Sequence, residues 1–224
     1  MVELKAKLVA DAWVPASWED YLQTIADPTY EKAKGYYYQG HMRIEMASVG
    51  RDHADDHTVI ILAVGLFGIV KGISLRGLDN CSFRKAGVQE FQPDVSYYVG
   101  ERAQSVPPGT NVVNLDLYPV PNLVIEVSKT TLLDDRGNKR TLYEELGVSE
   151  YWVVDVEKTE ILAFQMIDRG SKRIDESQVL PGLAVASQFP KGVIATLEAA
   201  LRQSRETDQS QVGAWLMTQF QQPS

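Results

Sequence analysis

The chain has few of the residues that form disulfides and metal clusters. It contains one cysteine, Cys81, and three histidines among 224 residues. A single cysteine excludes an internal disulfide and a cysteine-cluster metal site. No histidine lies near Cys81 in the sequence, so we interpret it as a packed core residue rather than a nucleophile.

Long apolar runs are also missing. The nearest approach to the roughly 18 apolar residues of a membrane span is Val59–Val70, which is shorter and contains two glycines. The first residues, MVELKAKLVADAW, mix charges and lack the apolar centre of a signal peptide. We therefore expect a cytoplasmic protein that does not act at a membrane.

Basic residues are fewer than acidic residues, which gives a net charge of -8. This argues against a broadly basic nucleic-acid surface, but it leaves room for a local basic patch or for carboxylates that hold a cation. The length suits one domain spanning residues 1–224. Within it we expect a core at about 30–190 and a C-terminal helical extension at 192–221.

The pattern of apolar residues and turn signals predicts alternating helices and strands. Ser17 and Asp20 form a capping-box pattern at the start of the first helix. The predicted helices are Ser17–Ala26, Asp56–Val70, Asp134–Leu146, Ala195–Arg205 and Gln211–Phe220. Strands are predicted on both sides of Gly40, at Ile73–Leu75, Cys81–Lys85, Glu90–Val99, Asn122–Ser128 and Leu183–Ala186, and as a hairpin from Glu150 to Met166. This order predicts an α/β or α+β fold with a central mixed sheet flanked by helices.

Two carboxylates are candidates for a metal site. Glu126 lies within the apolar strand LVIEV, where an unpaired charge would be costly. Asp94 follows Pro93, which marks a strand start, an edge or a bulge. Carboxylates on neighbouring strands can share Mg²⁺ or Mn²⁺. The alternatives are that Asp94 forms a turn and that Glu126 pairs with an arginine.

The predicted helix after this strand carries a lysine on the same face as an acid and a tyrosine. Asp135, Lys139 and Tyr143 are spaced four residues apart. If the helix packs beside Glu126, Lys139 could orient an attacking water or stabilise developing negative charge. The alternative is that Asp135 and Lys139 form an ordinary ion pair on the helix surface.

Taken together, these stretches resemble the PD-(D/E)XK nuclease superfamily, and most closely the Uma family of restriction endonucleases. The matching stretches are YYYQGHMRIEMASVG, FQPDVSYYV, PNLVIEVSKTT, DDRGNKRTLYEELGVSEYWVVD and LPGLAVASQF, within residues 30 to 190. The resemblance implies a restriction-endonuclease-like fold, DNA as substrate, Mg²⁺ or Mn²⁺ as cofactor and a homodimer. It also implies that Asp94 and Glu126 are metal ligands.

The sequence departs from the superfamily signature at one position. Ser128 stands where the signature has lysine, two residues after the glutamate. In the Uma family the lysine lies on the following helix, which matches Lys139. Lys129 is the rival, but a shift of one residue turns a strand side chain to the opposite face. We therefore predict Asp94, Glu126 and Lys139 as catalytic residues.

Three further residues are possible members of the site. Tyr143 shares the helix face of Lys139, Glu45 matches by position a glutamate that superfamily members add, and His57 matches a histidine of the Uma pattern. His57 could instead only cap its helix. His53 and His57 have the spacing of a zinc-binding helix, but Ala54 replaces the catalytic glutamate of a metalloprotease.

The function that these residues predict is metal-dependent hydrolysis of phosphodiester bonds in DNA by an endonuclease. The alternative is a catalytically inactive protein that keeps the nuclease fold and binds nucleic acid or protein. The terminal segment Gln211–Phe220 is amphipathic and could contribute a surface for a homodimer.

Overall fold

The computed structural model describes residues 11–46, 50–168, 170–185 and 196–222, and within them the chain forms two compact units. The first unit combines residues 1–48, 82–92 and 110–118, and the second combines 49–81, 93–109 and 119–224. The prediction of a single domain therefore stays a prediction, and each unit is described by itself.

The first unit is built on a six-stranded sheet and one helix. Its strands are β1 (Val14–Pro15), β2 (Lys34–Tyr38), β3 (His41–Glu45), β5 (Ser82–Lys85), β6 (Gln89–Phe91) and β8 (Val112–Asn114). They are ordered β1-β3-β2-β6-β5-β8, with only β5 and β8 parallel. Helix α1 (Trp18–Ile25) begins at the predicted capping box, since Ser17 Oγ accepts from the Asp20 N–H at 3.1 Å.

The second unit contains the mixed sheet that the sequence predicts. Its strands are β4 (Leu75–Asp79), β7 (Val95–Val99), β9 (Leu123–Ser128), β10 (Glu150–Asp155), β11 (Glu160–Ile167) and β12 (Gly170–Ile174). They are ordered β12-β11-β10-β9-β7-β4, with β9 and β10 parallel and all other pairs antiparallel. The helices of this unit are α2 (Arg51–Lys71), α3 (Leu132–Arg136), α4 (Asn138–Leu146), α5 (Thr196–Ser204) and α6 (Gln209–Gln221).

Several predicted elements differ from those observed. Helix α2 begins five residues before the predicted Asp56, because its first turns are polar and carry no apolar signal. The predicted strand Glu90–Val99 is two strands in different sheets, with Pro93 between them. Near Leu183 only an isolated bridge between Glu176 and Ala184 forms, and Ala186 and Ala195 lie outside the described residues. Strands β1, β8 and β12 were not predicted.

Helix α2 is the centre of the second unit's core. Its 21 residues have the length and composition of a membrane-crossing helix, a property that core helices of soluble proteins share. Its apolar side chains are buried together with those of the sheet and of α5 and α6. Phe67 meets Phe220 edge to face at 5.2 Å. The apolar side of α6 is thus used within this unit, so our prediction that it forms a dimer surface is not supported.

A buried carboxylate on α2 leads to a prediction about pH. Asp56 is fully buried, its Oδ2 accepts from Arg205 Nη2 at 2.7 Å, and burial raises its pKa from 3.8 to about 6. Because the folded protein favours the protonated acid, its contribution to stability is present below 3.8 and is lost as pH rises through about 6. In urea unfolding we expect the free energy of unfolding of the wild type to rise by about 2 kcal/mol relative to that of Asp56→Asn between pH 7 and pH 4.

Asp52 supplies the matched control for that measurement. Lys129 lowers the pKa of this exposed carboxyl, so its contribution is lost only below the ordinary value of 3.8. Asp52→Asn should therefore change the pH dependence between pH 4 and 7 only slightly, because Asp52 makes the smallest of the contributions that raise the Asp56 pKa. If the difference in free energy of unfolding between wild type and Asp56→Asn stayed constant from pH 4 to pH 7, the prediction would be contradicted.

Candidate active site

The two predicted carboxylates lie side by side on the neighbouring chain segments of β7 and β9 in the mixed sheet. Strand β7 pairs antiparallel with β9, with Val95 opposite Ile125, and one further step of this register sets Asp94 across from Glu126. Asp94 Oδ2 accepts from the Val127 N–H at 2.7 Å. Strand pairing is interrupted at Pro93. The side chain of the next residue, Asp94, contacts the backbone of β9 beside Glu126.

Glu126 is held by groups from the helix that follows its strand. The carboxylate is 2% exposed, and its Oε1 accepts from the Tyr143 hydroxyl at 2.8 Å. The Lys139 ammonium Nζ lies 3.6 Å from the same oxygen. Because β9 runs antiparallel to β7 and parallel to β10, Glu126 is on a central strand, and this explains its burial.

Lys139 is buried between two acids. It is 1% exposed, and its Nζ lies 3.0 Å from Asp135 Oδ1 as well as near Glu126. Asp135 is equally buried, and its Oδ2 accepts from the Thr131 hydroxyl at 2.6 Å. The alternative of a surface ion pair is therefore wrong. The predicted helix is also two helices, α3 and α4, which break at Gly137, and the contact between Asp135 and Lys139 spans the break.

The rival lysine lies in a different environment. Lys129 is 43% exposed, and its Nζ pairs with Asp52 Oδ2 at 3.2 Å. This pair lies on the surface, whereas Lys139 contacts the buried Glu126. The geometry thus favours Lys139 over Lys129 as the lysine of the site.

Two histidines approach Asp94 from α2. His57 Nε2 lies 3.2 Å from the Asp94 carbonyl oxygen and 3.3 Å from Asp79 Oδ1. His53 Nε2 lies 3.8 Å from Asp94 Oδ2. His57 is therefore placed at the site by its contact with the backbone, while His53 is a member that the sequence analysis set aside. Their spacing of four residues was the available signal.

Glu45 is not among the residues that these contacts join. It belongs to the first unit, where its Oε1 accepts from Arg43 Nε at 2.8 Å. Both side chains are buried, and Arg43 also donates to the carbonyl of Asp11. These are the contacts of a structural ion pair, and a role for Glu45 in the site stays a prediction.

The donor set fits a magnesium ion. Among the described residues no three histidine, cysteine, aspartate or glutamate side chains are grouped to hold a metal by themselves. Magnesium, however, is commonly bound by one or two carboxylates while it keeps several waters. The buried acids Asp94, Glu126 and Asp135 carry three formal negative charges against the one positive charge of Lys139, and a divalent ion would offset the difference.

The hydrogen bond from the Tyr143 hydroxyl to the Glu126 carboxylate leads to a prediction. Tyr143→Phe removes a hydrogen bond to a buried carboxylate, so we expect cleavage to fall by about 10–100-fold and stability to fall by about 1.5–3 kcal/mol. Steady-state cleavage and chemical unfolding of the purified variant measure the two effects.

Tyr151 is the matched control. It is fully buried beside Tyr143, and the centroids of the two rings are 4.7 Å apart. Its hydroxyl, however, donates to the Asp135 backbone carbonyl at 3.0 Å. Burial and the nearby carboxylates of Asp135 and Glu126 raise the pKa of Tyr151 well above its ordinary value, so it stays a neutral donor. Tyr151→Phe should cost stability with little change in cleavage. Equal activity losses in both variants would contradict a specific role for Tyr143.

Comparison with known structures identifies the class of fold. The chain resembles the crystal structure of a putative nuclease belonging to DUF820 from Anabaena variabilis ATCC 29413, with a TM-score of 0.51 and 13% identity. The match covers 90% of this chain and 99% of that chain. The fold is thus of the nuclease-like class, as the sequence predicts.

The family follows from the sequence itself. The chain belongs to the Uma2 family, described as "Putative restriction endonuclease", whose family model matches residues 18–198. This confirms the resemblance drawn from the motifs. No curated protein matches the chain.

Proposed function

We propose that this protein is a magnesium- or manganese-dependent endonuclease that hydrolyses phosphodiester bonds in DNA. The observation that carries the proposal is the contact of the buried Lys139 ammonium with Glu126 and Asp135. Together with Asp94 these residues form a group of three acids and one cation beside the central strand β9, in a chain whose family is described as putative restriction endonuclease.

Each residue has a distinct task in this proposal. Asp94 and Glu126 would hold the ion. When bound, the ion supplies polarisation of a phosphoryl oxygen and a water of lowered pKa. Lys139, whose ammonium is held by Asp135, donates hydrogen bonds that orient the attacking water or stabilise developing negative charge. Tyr143 fixes the Glu126 carboxylate in place.

A cleavage assay tests this function. Wild type, Asp94→Ala and Lys139→Ala are compared with Mg²⁺, Mn²⁺ or EDTA on supercoiled, linear, methylated and branched DNA. We expect metal-dependent cleavage by the wild type alone. Equal cleavage by all three proteins would point to a contaminant or a wrong site.

Other outcomes favour other functions. Tight binding of nucleic acid without turnover would favour the non-catalytic alternative. Hydrolysis of a different phosphate ester in place of DNA would assign another substrate to the same site.

We also propose a homodimer in the cytoplasm. Two active sites would let the protein cut both strands of a duplex, and each subunit supplies one set of Asp94, Glu126 and Lys139. Analytical ultracentrifugation measures the assembly, and a monomer at assay concentrations would contradict it.

A further inference from the structure

The mixed sheet of the second unit ends in a strand with an open outer side. Strand β4 is the last in the sheet order, and among the described residues it pairs only with β7. The unpaired backbone groups of an edge strand are a template for another strand, and a proline is one of the features that block such pairing. Strand β4 contains no proline. Its backbone can therefore accept a further strand.

The backbone groups that point away from β7 can be identified from the hydrogen bonds at the two ends of β4. The Asn80 N–H donates to the Asp94 carbonyl, and the Gly100 N–H donates to the Ser74 carbonyl, both at 2.9 Å. In an antiparallel pair, residues that exchange such bonds alternate with residues that do not. The backbone groups of the intervening odd-numbered residues therefore point to the open side, and these residues are Leu75, Gly77 and Asp79.

An apolar groove of about 530 Å³ lies between β4 and helix α2. Asp79 is the only charged residue of its lining, and the lining residues Ile61 and Ile69 are 37% and 75% exposed. Binding of nucleic acid depends on lysine and arginine contacts with phosphates, and the lining contains neither residue. Exposed apolar side chains that lie together are instead typical of protein–protein contact.

Two contacts fix the position of α2 along β4. A Cβ at Gly68 would overlap the Leu75 side chain, so this turn of the helix packs directly on the start of the strand. Towards the other end of the strand, His57 Nε2 lies 3.3 Å from Asp79 Oδ1. The helix therefore runs antiparallel to the strand along its whole length.

The middle of β4 coincides with a self-complementary part of α2. Halfway between the two contacts, Gly77 of the strand lies beside the helical turn between Ile61 and Gly65. A rotation by 180° about an axis at Gly77 would place Ile61 of one copy opposite Gly65 of the other. A Cβ at Gly65 would meet no atom within 4 Å, so there is space for that isoleucine. A surface that is self-complementary about one axis is the mark of a two-fold dimer contact.

We propose that a second copy of this chain binds at this edge. The two β4 strands pair antiparallel about Gly77, through the backbone groups that point away from β7, and the two six-stranded sheets join. Ile61 of each copy packs into the groove of the other, beside Gly65. The proposal rests on the homodimer of the proposed function and assigns its contact surface, which α6 does not supply.

This arrangement brings the two candidate active sites close to the dimer axis. Asp79, which contacts His57 of the site, is two residues from Gly77. With the rise of a strand, the two copies of Asp79 would lie about 13 Å apart along the strand direction. The two sites would therefore be near enough to act on one duplex.

Sedimentation of the full chain in EDTA, without DNA, tests the contact. We expect a dimer of the wild type at micromolar concentrations. Ile61→Glu buries an unpaired charge in the contact and should raise the Kd of the dimer more than about 100-fold. Ile167→Glu is the matched control, because it adds the same charge at an isoleucine of β11 that is 52% exposed. It should leave the Kd unchanged.

Gly65→Leu separates association from folding. The leucine fills the space that the partner's isoleucine needs, so the Kd should rise more than about tenfold. Leucine also favours a helix more than glycine does, so the melting temperature should not fall at dilutions where the wild type is monomeric too. Gly65→Ala favours the helix but adds only one methyl group, and its dimer should persist.

Hydrogen exchange followed by mass spectrometry tests the pairing of the strands. In the dimer the amides of Leu75–Asp79 should exchange at least about tenfold more slowly than in Ile61→Glu or in diluted wild type. Strand β12 at Gly170–Ile174 is the control, because it forms the other edge of the same sheet. Its exchange should not depend on protein concentration.

Three results would overturn the proposal. A wild type that stays monomeric at all attainable concentrations would leave the edge to a strand of another protein. A dimer that persists in both Ile61→Glu and Gly65→Leu, or one whose β4 amides exchange as in the monomer, would mean that the homodimer uses another surface. None of these measurements involves cleavage. A dimer through β4 that fails to cut DNA in Mg²⁺ would therefore support the contact and count against the nuclease function alone.

Discussion

Lys139→Met should abolish cleavage and also destabilise the fold. Removing the ammonium leaves Asp135 and Glu126 as buried carboxylates without their cation, and breaking a buried pair in this way costs about 3–5 kcal/mol. In the proposed mechanism Lys139 stabilises developing charge on the phosphate, and loss of such a group lowers the rate by about 100–1000-fold. Urea unfolding and single-turnover cleavage measure the two effects separately.

A second substitution separates folding from activity. In Lys139→Met/Asp135→Asn the asparagine can still accept from the Thr131 hydroxyl but carries no charge, so most of the lost stability should return. Cleavage should not return, because the ammonium is still absent. Recovery of cleavage in the double variant would show that Lys139 acts only on the fold.

Lys129→Met is the control for the choice of lysine. Because its ion pair with Asp52 is exposed, the change in stability should be within about 0.5 kcal/mol. Cleavage should change by no more than a few-fold. Loss of cleavage in Lys129→Met with activity retained in Lys139→Met would reverse the assignment.

The sequence could predict the candidate site because its signals are local. Glu126 within an apolar strand and Asp94 after a proline indicate two constrained carboxylates, and the order of the motifs indicates the nuclease-like fold. The spacing of Asp135 and Lys139 predicts a contact on one continuous helix, and the contact also forms across the break at Gly137. Their burial could not be read from the spacing, since an ion pair at this distance occurs equally on a helix surface.

The parts that could not be predicted depend on pairing across long sequence distances. Strand β8 has three residues and is a strand only because it pairs parallel with β5. Pro93 signals an interruption between Gln89–Phe91 and Val95–Val99, but the local pattern does not show that the two strands belong to different sheets. His53 was set aside for want of a zinc partner, and only the tertiary contact of α2 with Asp94 brings it to the site.

A divalent ion should stabilise the protein in the absence of DNA. The three buried acids Asp94, Glu126 and Asp135 carry more charge than Lys139 neutralises, so their repulsion opposes folding and a bound ion would relieve it. An ion present at about 100 times its dissociation constant adds about 2.7 kcal/mol to the free energy of unfolding. For a chain of 224 residues that corresponds to a rise in melting temperature of about 5–10 °C.

The stabilisation should depend on the two proposed ligands. Differential scanning calorimetry in EDTA, Mg²⁺, Mn²⁺ and Ca²⁺ is compared for wild type, Asp94→Asn and Glu126→Gln. Each substitution removes one carboxylate charge, so both variants should unfold at a higher temperature than the wild type in EDTA and should respond weakly to the ions. Asp52→Asn, which alters an exposed acid, should respond as the wild type does. An equal rise in all four proteins would mean that the ion binds elsewhere.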